Sequence, residues 1–201
     1  MSHPKNIVPI KKFVLEMYRS NKNKKLFYHG FHHILNVLEA ANGHIKRLKI
    51  NKNDAHLVRV AALLHDIGIL WTYSKHEEEG VVFIKSNLQK MGYSKKEIEV
   101  ISNMILATEL PQNPKTLLEQ IVCDSDLDYL GRDRFYEIGE TLYKEFKAYN
   151  IVNNRKDWDA LQIKFLENHE YHTHYARRVL QHKMHDRLKE LKEKMKKFKY
   201  K

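Results

Sequence analysis

Four residues, His33, the adjacent pair His65 and Asp66, and Asp126, are of the types that hold a divalent metal. Imidazole and carboxylate donors without a thiolate favour a borderline or hard first-row ion and leave room for a bound water. Water on such an ion is acidic, so hydrolysis of a phosphate ester is the chemistry to suspect. His65 and Asp66 follow the apolar run of residues 60–64 and precede Ile67, Gly68 and Ile69, which predicts burial near a helix end. An ionised Asp buried beside an imidazole is costly unless its charge is offset. A cation removes that cost and keeps the imidazole neutral and ligating. His29 and His33 lie four apart, one turn of a helix if both are helical, which is a weak signal in a chain with 13 histidines.

Residues 121–131 carry Asp124, Asp126 and Asp128 at alternate positions. A calcium loop counted from Asp124 needs Gly at its sixth place and an acid at its twelfth. The chain has Tyr129 and Phe135 there, which excludes it. A haloacid-dehalogenase phosphatase needs Thr or Val near Asp128 and a parallel sheet, neither of which the sequence offers. Asp126 then reads as a carboxylate delivered to a site built elsewhere, while Asp124 and Asp128 read equally well as helix-capping acids.

Helices must position these groups. Phe13, Val14, Met17 and Tyr18 predict a first helix after Pro9, and Ile34, Val37, Leu38, Ala41 and Ile45 a second at i, i+3, i+4 spacing. Asn53 reads as the N-cap of a third whose face Leu57, Val60, Ala61, Leu64 ends near Gly68. Ser74 with Glu77 and Ser94 with Glu97 each match the capping box. Further helices are expected around 116–122, 133–149 and 157–166, and from Tyr175 onward. No segment alternates with the period of a strand, so the class is all-α.

Composition narrows the classes. The 201 residues, with seven Gly, four Pro and no low-complexity linker, fit one compact domain with a helical extension. A lone Cys123 excludes a disulfide scaffold and fits a reducing cytosol. The start, broken by Pro4 and Pro9, lacks the apolar run of a signal peptide, and nothing approaches the ~18 apolar residues of a membrane span. The net charge of +11 lies largely at the two ends. Leu188, Leu191, Met195 and Phe198 space apolar residues among the closing lysines, which reads as a solvated basic amphipathic helix docked by one stripe. Nucleic-acid binding is disfavoured on that reading.

In order, the set His33, His65-Asp66, Asp126 resembles the HD-domain superfamily, whose pattern is His, then His-Asp, then a distant Asp on a helical bundle. The motif-bearing part covers about residues 27–132. The stretch Leu63-Leu-His-Asp-Ile-Gly68 is close to the superfamily's signature. Tyr28-His29-Gly-Phe-His-His33 is similar to the Tyr-His-Asn-x-x-His opening of the cyclic-nucleotide phosphodiesterase branch, with Gly30 in the place of Asn. Asp124-Ser-Asp126 resembles the final Asp-x-Asp, whose second acid binds metal. The resemblance implies an all-α, single-domain bundle over residues 1–186 with a basic helical extension over 187–201. It implies His33, His65, Asp66 and Asp126 as metal ligands and His29 as a general acid. His76-Glu77 is similar to the His-Glu of deoxynucleotide triphosphohydrolases, where the His contacts phosphate or supplies a proton; a first-turn position inside the Ser74 box is the equal alternative.

The departures bear on substrate. Where the two-metal branch places a later His pair, this chain has Ala107 and Thr108. That favours one tightly held ion (Fe, Mn, Zn, Ni or Mg), with any second Mg or Mn held mainly through water. The basic residue that follows the final Asp in the triphosphohydrolases is Leu127 here, which argues against a triphosphate. In the second half, Trp158, Gln162, Phe165 and His169 share one helical face, either a base-stacking wall or, more commonly, a core stripe. Arg132 is of a type suited to phosphate.

These readings converge on a cytoplasmic metal-dependent phosphohydrolase for a nucleotide or other small phosphate ester. Catalytic candidates are His29, His76 and Asp66, and substrate-binding candidates Glu77, Arg132 and Gln162. No membrane partner is expected; a homodimer is one option for the assembly. The other functional class is an HD module that keeps metal and pocket as a sensor without turnover.

Overall fold

The computed structural model describes residues 6–197. Pro4 and Phe198, both used above, lie outside them. Nine α-helices and two short 3-10 turns make up the described chain, and no strand occurs among its described residues. It is all-α, and among the described residues no helix is long and apolar enough to cross a membrane.

The chain divides into two compact units. The first takes residues 6–23 and 29–126 and contains α1 (Val8–Ser20), α2 (Phe31–Arg47), α3 (Lys52–Leu64), α4 (His76–Lys90), α5 (Lys95–Leu106) and α6 (Leu117–Asp126). Helix α3 is its axis. Ala55 through Val58 and Val60 through Leu64 are all buried, so it is apolar on every side and must be surrounded. It packs against α1, α2, α5 and α6. Helix α2 turns Ile34, Val37, Leu38, Ala41 and Ile45 inward at the expected spacing and carries His33 on the same face. The 3-10 turn Ile67–Leu70 follows α3 and packs on α4.

The second unit takes residues 24–28 and 127–197 and contains α7 (Phe135–Ala148), α8 (Arg155–Asn168) and α9 (His174–Lys197). Ala176, Leu180, Met184 and Leu191 form the buried stripe of α9. Gly131 lies so close to α9 that a Cβ there would sit 2.6 Å from the Leu180 Cβ. Trp158 is buried between Tyr143 and Phe146, and Phe165 stacks on His169, so that helical face lines the core of this unit.

Two helix starts differ from the sequence expectation. Asn51, not Asn53, caps α3, its side chain accepting from the backbone N–H groups of Asn53 and Asp54 at 3.0 and 3.1 Å. Asn53 is therefore already inside the helix. The Ser94–Glu97 box forms as expected, but the Ser74–Glu77 box does not. Lys75, with φ of 56°, is the N-cap of α4, and the Glu77 carboxylate lies 3.4 Å from the His76 imidazole.

Candidate metal centre

The site belongs wholly to the first unit, and four elements build it. Helix α2 supplies His33 from its first turn. The end of α3 supplies His65 as its C-cap, and Asp66 follows at the head of the 3-10 turn. The last residue of α6 supplies Asp126. Helix α4 begins with His76. Two long-range bonds from the end of α1 hold the turn after Asp66. Tyr18 donates its hydroxyl to the Asp66 carbonyl at 3.3 Å, and Asn21 donates to the Leu70 carbonyl at 3.1 Å.

Of the four expected ligands, the donor atoms of His33, His65 and Asp66 all lie within 4.8 Å of one another, and Asp126 joins them through the two imidazoles. The Nε2 atoms of His33 and His65 are 3.2 Å apart. Asp66 Oδ2 is 3.3 Å from the first and 3.1 Å from the second. Asp126 Oδ1 is 3.0 Å from His33 Nε2 and 3.4 Å from His65 Nε2. Each Nε2 thus meets three polar atoms, while an imidazole nitrogen offers one proton or one lone pair. Mutual hydrogen bonding cannot satisfy that set, and the fully buried Asp66 Oδ2 has no hydrogen-bond donor. A cation at the common centre does satisfy it. Ligand bonds of about 2.1 Å put neighbouring donors about 3.0 Å apart in an octahedron and about 3.4 Å apart in a tetrahedron, the range found here. The other nitrogen of His65, Nδ1–H, donates to the Ala62 carbonyl at 3.0 Å, which turns the Nε2 lone pair inward.

The electrostatics agree. Burial pulls the His33 imidazole down, but Asp126 and Asp66 outweigh it and hold its pKa above the ordinary value. Burial opposes the same shift in His65, whose pKa Asp66 and Asp126 hold well above that value. Burial works to raise both carboxyl groups, yet the imidazoles win: His65 foremost keeps Asp66 well below the usual range, and His33 foremost keeps Asp126 low. The two imidazoles therefore hold protons that a metal must displace, while the two carboxylates are already ionised. Metal uptake is expected to release protons, with affinity rising as pH rises through the neutral range. Calorimetric titration with Mn²⁺ in buffers of different ionisation enthalpy checks this. Heats independent of buffer, with an affinity independent of pH, would contradict it.

Beyond the ligands, His76 donates Nε2–H to Asp66 Oδ1 at 3.2 Å. Burial lowers its pKa, but that bond and the charges of Asp66 and Glu77 lift it to about 9. Burial raises the Glu77 carboxyl, with His76 opposing. His29 is not helical: Gly30 caps α2 in an extended conformation, so the four-residue spacing to His33 does not run along a helix face. Its ring still approaches His33 and His76, with centroids 5.9 Å away from each, and Tyr73 at 6.0 Å. The sequence places Tyr18 only in the first helix and says nothing of Tyr73, because both act across distant segments. Arg132 and Gln162 belong to the second unit. Arg132 forms a bidentate pair with Asp128, both bonds 2.7 Å, and Gln162 lies beside Gly139. Asp124 is fully buried on α6.

Residues 30–128 match the family model of the HD domain. That span begins at the cap of α2 and ends just after Asp126, enclosing all four candidate ligands. Among solved structures, the crystal structure of a predicted HD superfamily hydrolase from an uncultured Thermotogales bacterium is similar, with a TM-score of 0.60 at 20% identity. The match covers 92% of this chain and 91% of that one. At that identity the likeness establishes the fold. No curated protein matches the chain significantly. The ordered His, His-Asp and Asp donors, their helical setting and the match over residues 30–128 place the chain in the HD-domain superfamily.

Proposed function

We propose that the protein is a metal-dependent hydrolase of phosphate esters, acting on a nucleotide or another small phosphorylated molecule. The observation that carries this reading is a pair of imidazole nitrogens 3.2 Å apart, each within 3.0–3.4 Å of one oxygen of Asp66 and one of Asp126, with Asp66 Oδ2 buried and lacking a donor. His33, His65, Asp66 and Asp126 would hold one divalent ion: Fe, Mn, Zn, Ni or, less suited to imidazole, Mg. When bound, such an ion makes a coordinated water acidic and offsets charge on phosphoryl oxygens.

The remaining groups divide the work. His76, cationic near neutral pH beside Asp66, is placed to pair with a phosphate oxygen or to deliver a proton to the leaving oxygen. Glu77 orients His76 from the next position. His29, about 6 Å from His33 and His76 by ring centroid, is the other candidate acid. Asp66 presents its two oxygens differently, Oδ2 to the ligand imidazoles and Oδ1 to His76. The Oδ1 side is thus taken by a cationic imidazole, which a second, mainly water-held Mg or Mn would have to displace. The buried Cys123 thiol donates to the Ala107 carbonyl at 3.1 Å and fits a reducing, cytoplasmic setting.

One observation favours the sensor reading instead: the Arg132 guanidinium is already occupied by Asp128, which removes a cation from the substrate candidates. Elemental analysis of the purified protein, followed by a panel of phosphomonoesters and cyclic nucleotides with added Mn²⁺, decides between them. The enzyme reading expects close to one bound ion per chain and release of product from at least one ester. Metal-loaded protein that is thermally stabilised by a nucleotide yet forms no product would establish the sensor.

A further inference from the structure

Helix α9 presents two different faces. Ala176, Leu180, Met184 and Leu191 are buried. Away from them stand His174, Arg178, His182, His185, Lys189, Lys192 and Lys196, all exposed. At about 100° per residue these seven fall within an arc of about 80°, and they run roughly 33 Å along the helix. No carboxylate lies inside the arc; Asp186 and Glu193 flank one edge of it. Among the described residues, Lys189 pairs with Asp186 at 3.4 Å and Lys192 with Glu167 at 2.6 Å. Such exposed pairs are weak and exchange readily for another anion. His174, Arg178, His182 and Lys196 make no ion pair among the described residues.

A row of cationic and imidazole groups recurring about once per turn on a straight rod complements a regular polyanion. The arc contains no apolar or aromatic residue, so it lacks what an interfacial helix inserts into lipid. A nucleic-acid duplex, with one negative charge per about 1.7 Å of its axis, offers matching charge along a comparable length. The geometry points to α9 as a sequence-independent docking surface for nucleic-acid phosphates, separate from the metal centre and independent of what that centre hydrolyses. The net charge of +11 adds long-range attraction in the same sense.

Fluorescence anisotropy with a short labelled DNA duplex of arbitrary sequence tests it on the full chain. With about four phosphates engaged, affinity is expected to fall roughly 100-fold between about 50 and about 200 mM salt. The triple variant R178Q/K189Q/K196Q should bind at least about tenfold more weakly at low salt, with the slope of log affinity against log salt shallower by about 3. Circular dichroism and bound metal should be unchanged, since the three side chains are exposed. Should the triple variant lose helicity, the single change R178E repeats the test. No binding at low salt, or affinity and slope kept by the variants, would overturn the inference. Capture by phosphatidylserine vesicles without duplex binding would overturn it in favour of lipid.

Discussion

Replacing Asp66 by asparagine is expected to remove the bound metal and, with it, turnover. The substitution keeps the size of the side chain but withdraws one negative charge from a centre where Oδ2 lies 3.1 and 3.3 Å from two imidazole nitrogens. An amide oxygen is a poorer ligand for a first-row cation, and an amide N–H₂ turned inward would donate to the imidazole lone pairs that a cation needs. Bound metal should drop from close to one ion per chain to a small fraction. The hydrolysis rate should fall at least about 10³-fold, roughly 4 kcal/mol of transition-state stabilisation. Elemental analysis and initial rates on the same preparation check both numbers. His65→Ala removes a different ligand and should share the outcome. Either variant keeping metal and rate would mean that these side chains do not build the reaction centre.

The same four candidate ligands stood out in the sequence because their chemistry is incompatible with the apolar segments that carry them. Asp66, one residue beyond the apolar run of residues 60–64, has no bland explanation, and the structure buries it. Helix positions were legible for a similar reason: Ile34, Val37, Leu38, Ala41 and Ile45 can all be buried only on a helix. Local chemistry decided less. Asn51 and Asn53 are both able caps, and the choice falls to Asn51, two residues after Lys49 takes a positive φ and ends the preceding turn. Ser74 and Glu77 have the capping-box spacing, but Lys75 takes the N-cap with a positive φ and Glu77 is buried with its carboxylate beside His76, so the box does not form. The supports from Tyr18 and Asn21 span 48 and 49 residues and leave no periodic trace. The basic arc of α9 was hidden by attention to the closing lysines, since much of it is His174, Arg178, His182 and His185.

The second large effect falls on a residue without a side chain. A Cβ on Gly68 would lie 2.0 Å from the His76 carbonyl oxygen and 2.5 Å from the Gly80 nitrogen. Both are backbone atoms, so no rotamer change relieves the clash, and the 3-10 turn and the start of α4 must separate by more than an ångström. Gly68→Ala is therefore expected to cost about 3 kcal/mol, the upper end for overpacking a filled core. For a chain of this size that lowers Tm by roughly 6–12 °C. The separation also carries His76 and Glu77 away from Asp66, breaking the 3.2 Å bond from His76 Nε2–H. Turnover should fall more than metal content, because His33, His65 and Asp126 do not ride on α4. Gly80→Ala is the control across the same contact: its Cβ would meet Gly68 N and the Ile67 side chain at 3.4 Å, ordinary packing distance. Helical alanine also gains up to about 1 kcal/mol over glycine, so this variant should be neutral or stabilised. Thermal denaturation of the two variants, with metal content and rate measured alongside, separates a steric requirement at Gly68 from general intolerance of the contact. Equal melting temperatures for Gly68→Ala and the parent would mean that the His-Asp turn and α4 are not held at this distance, and that His76 owes its place to something else.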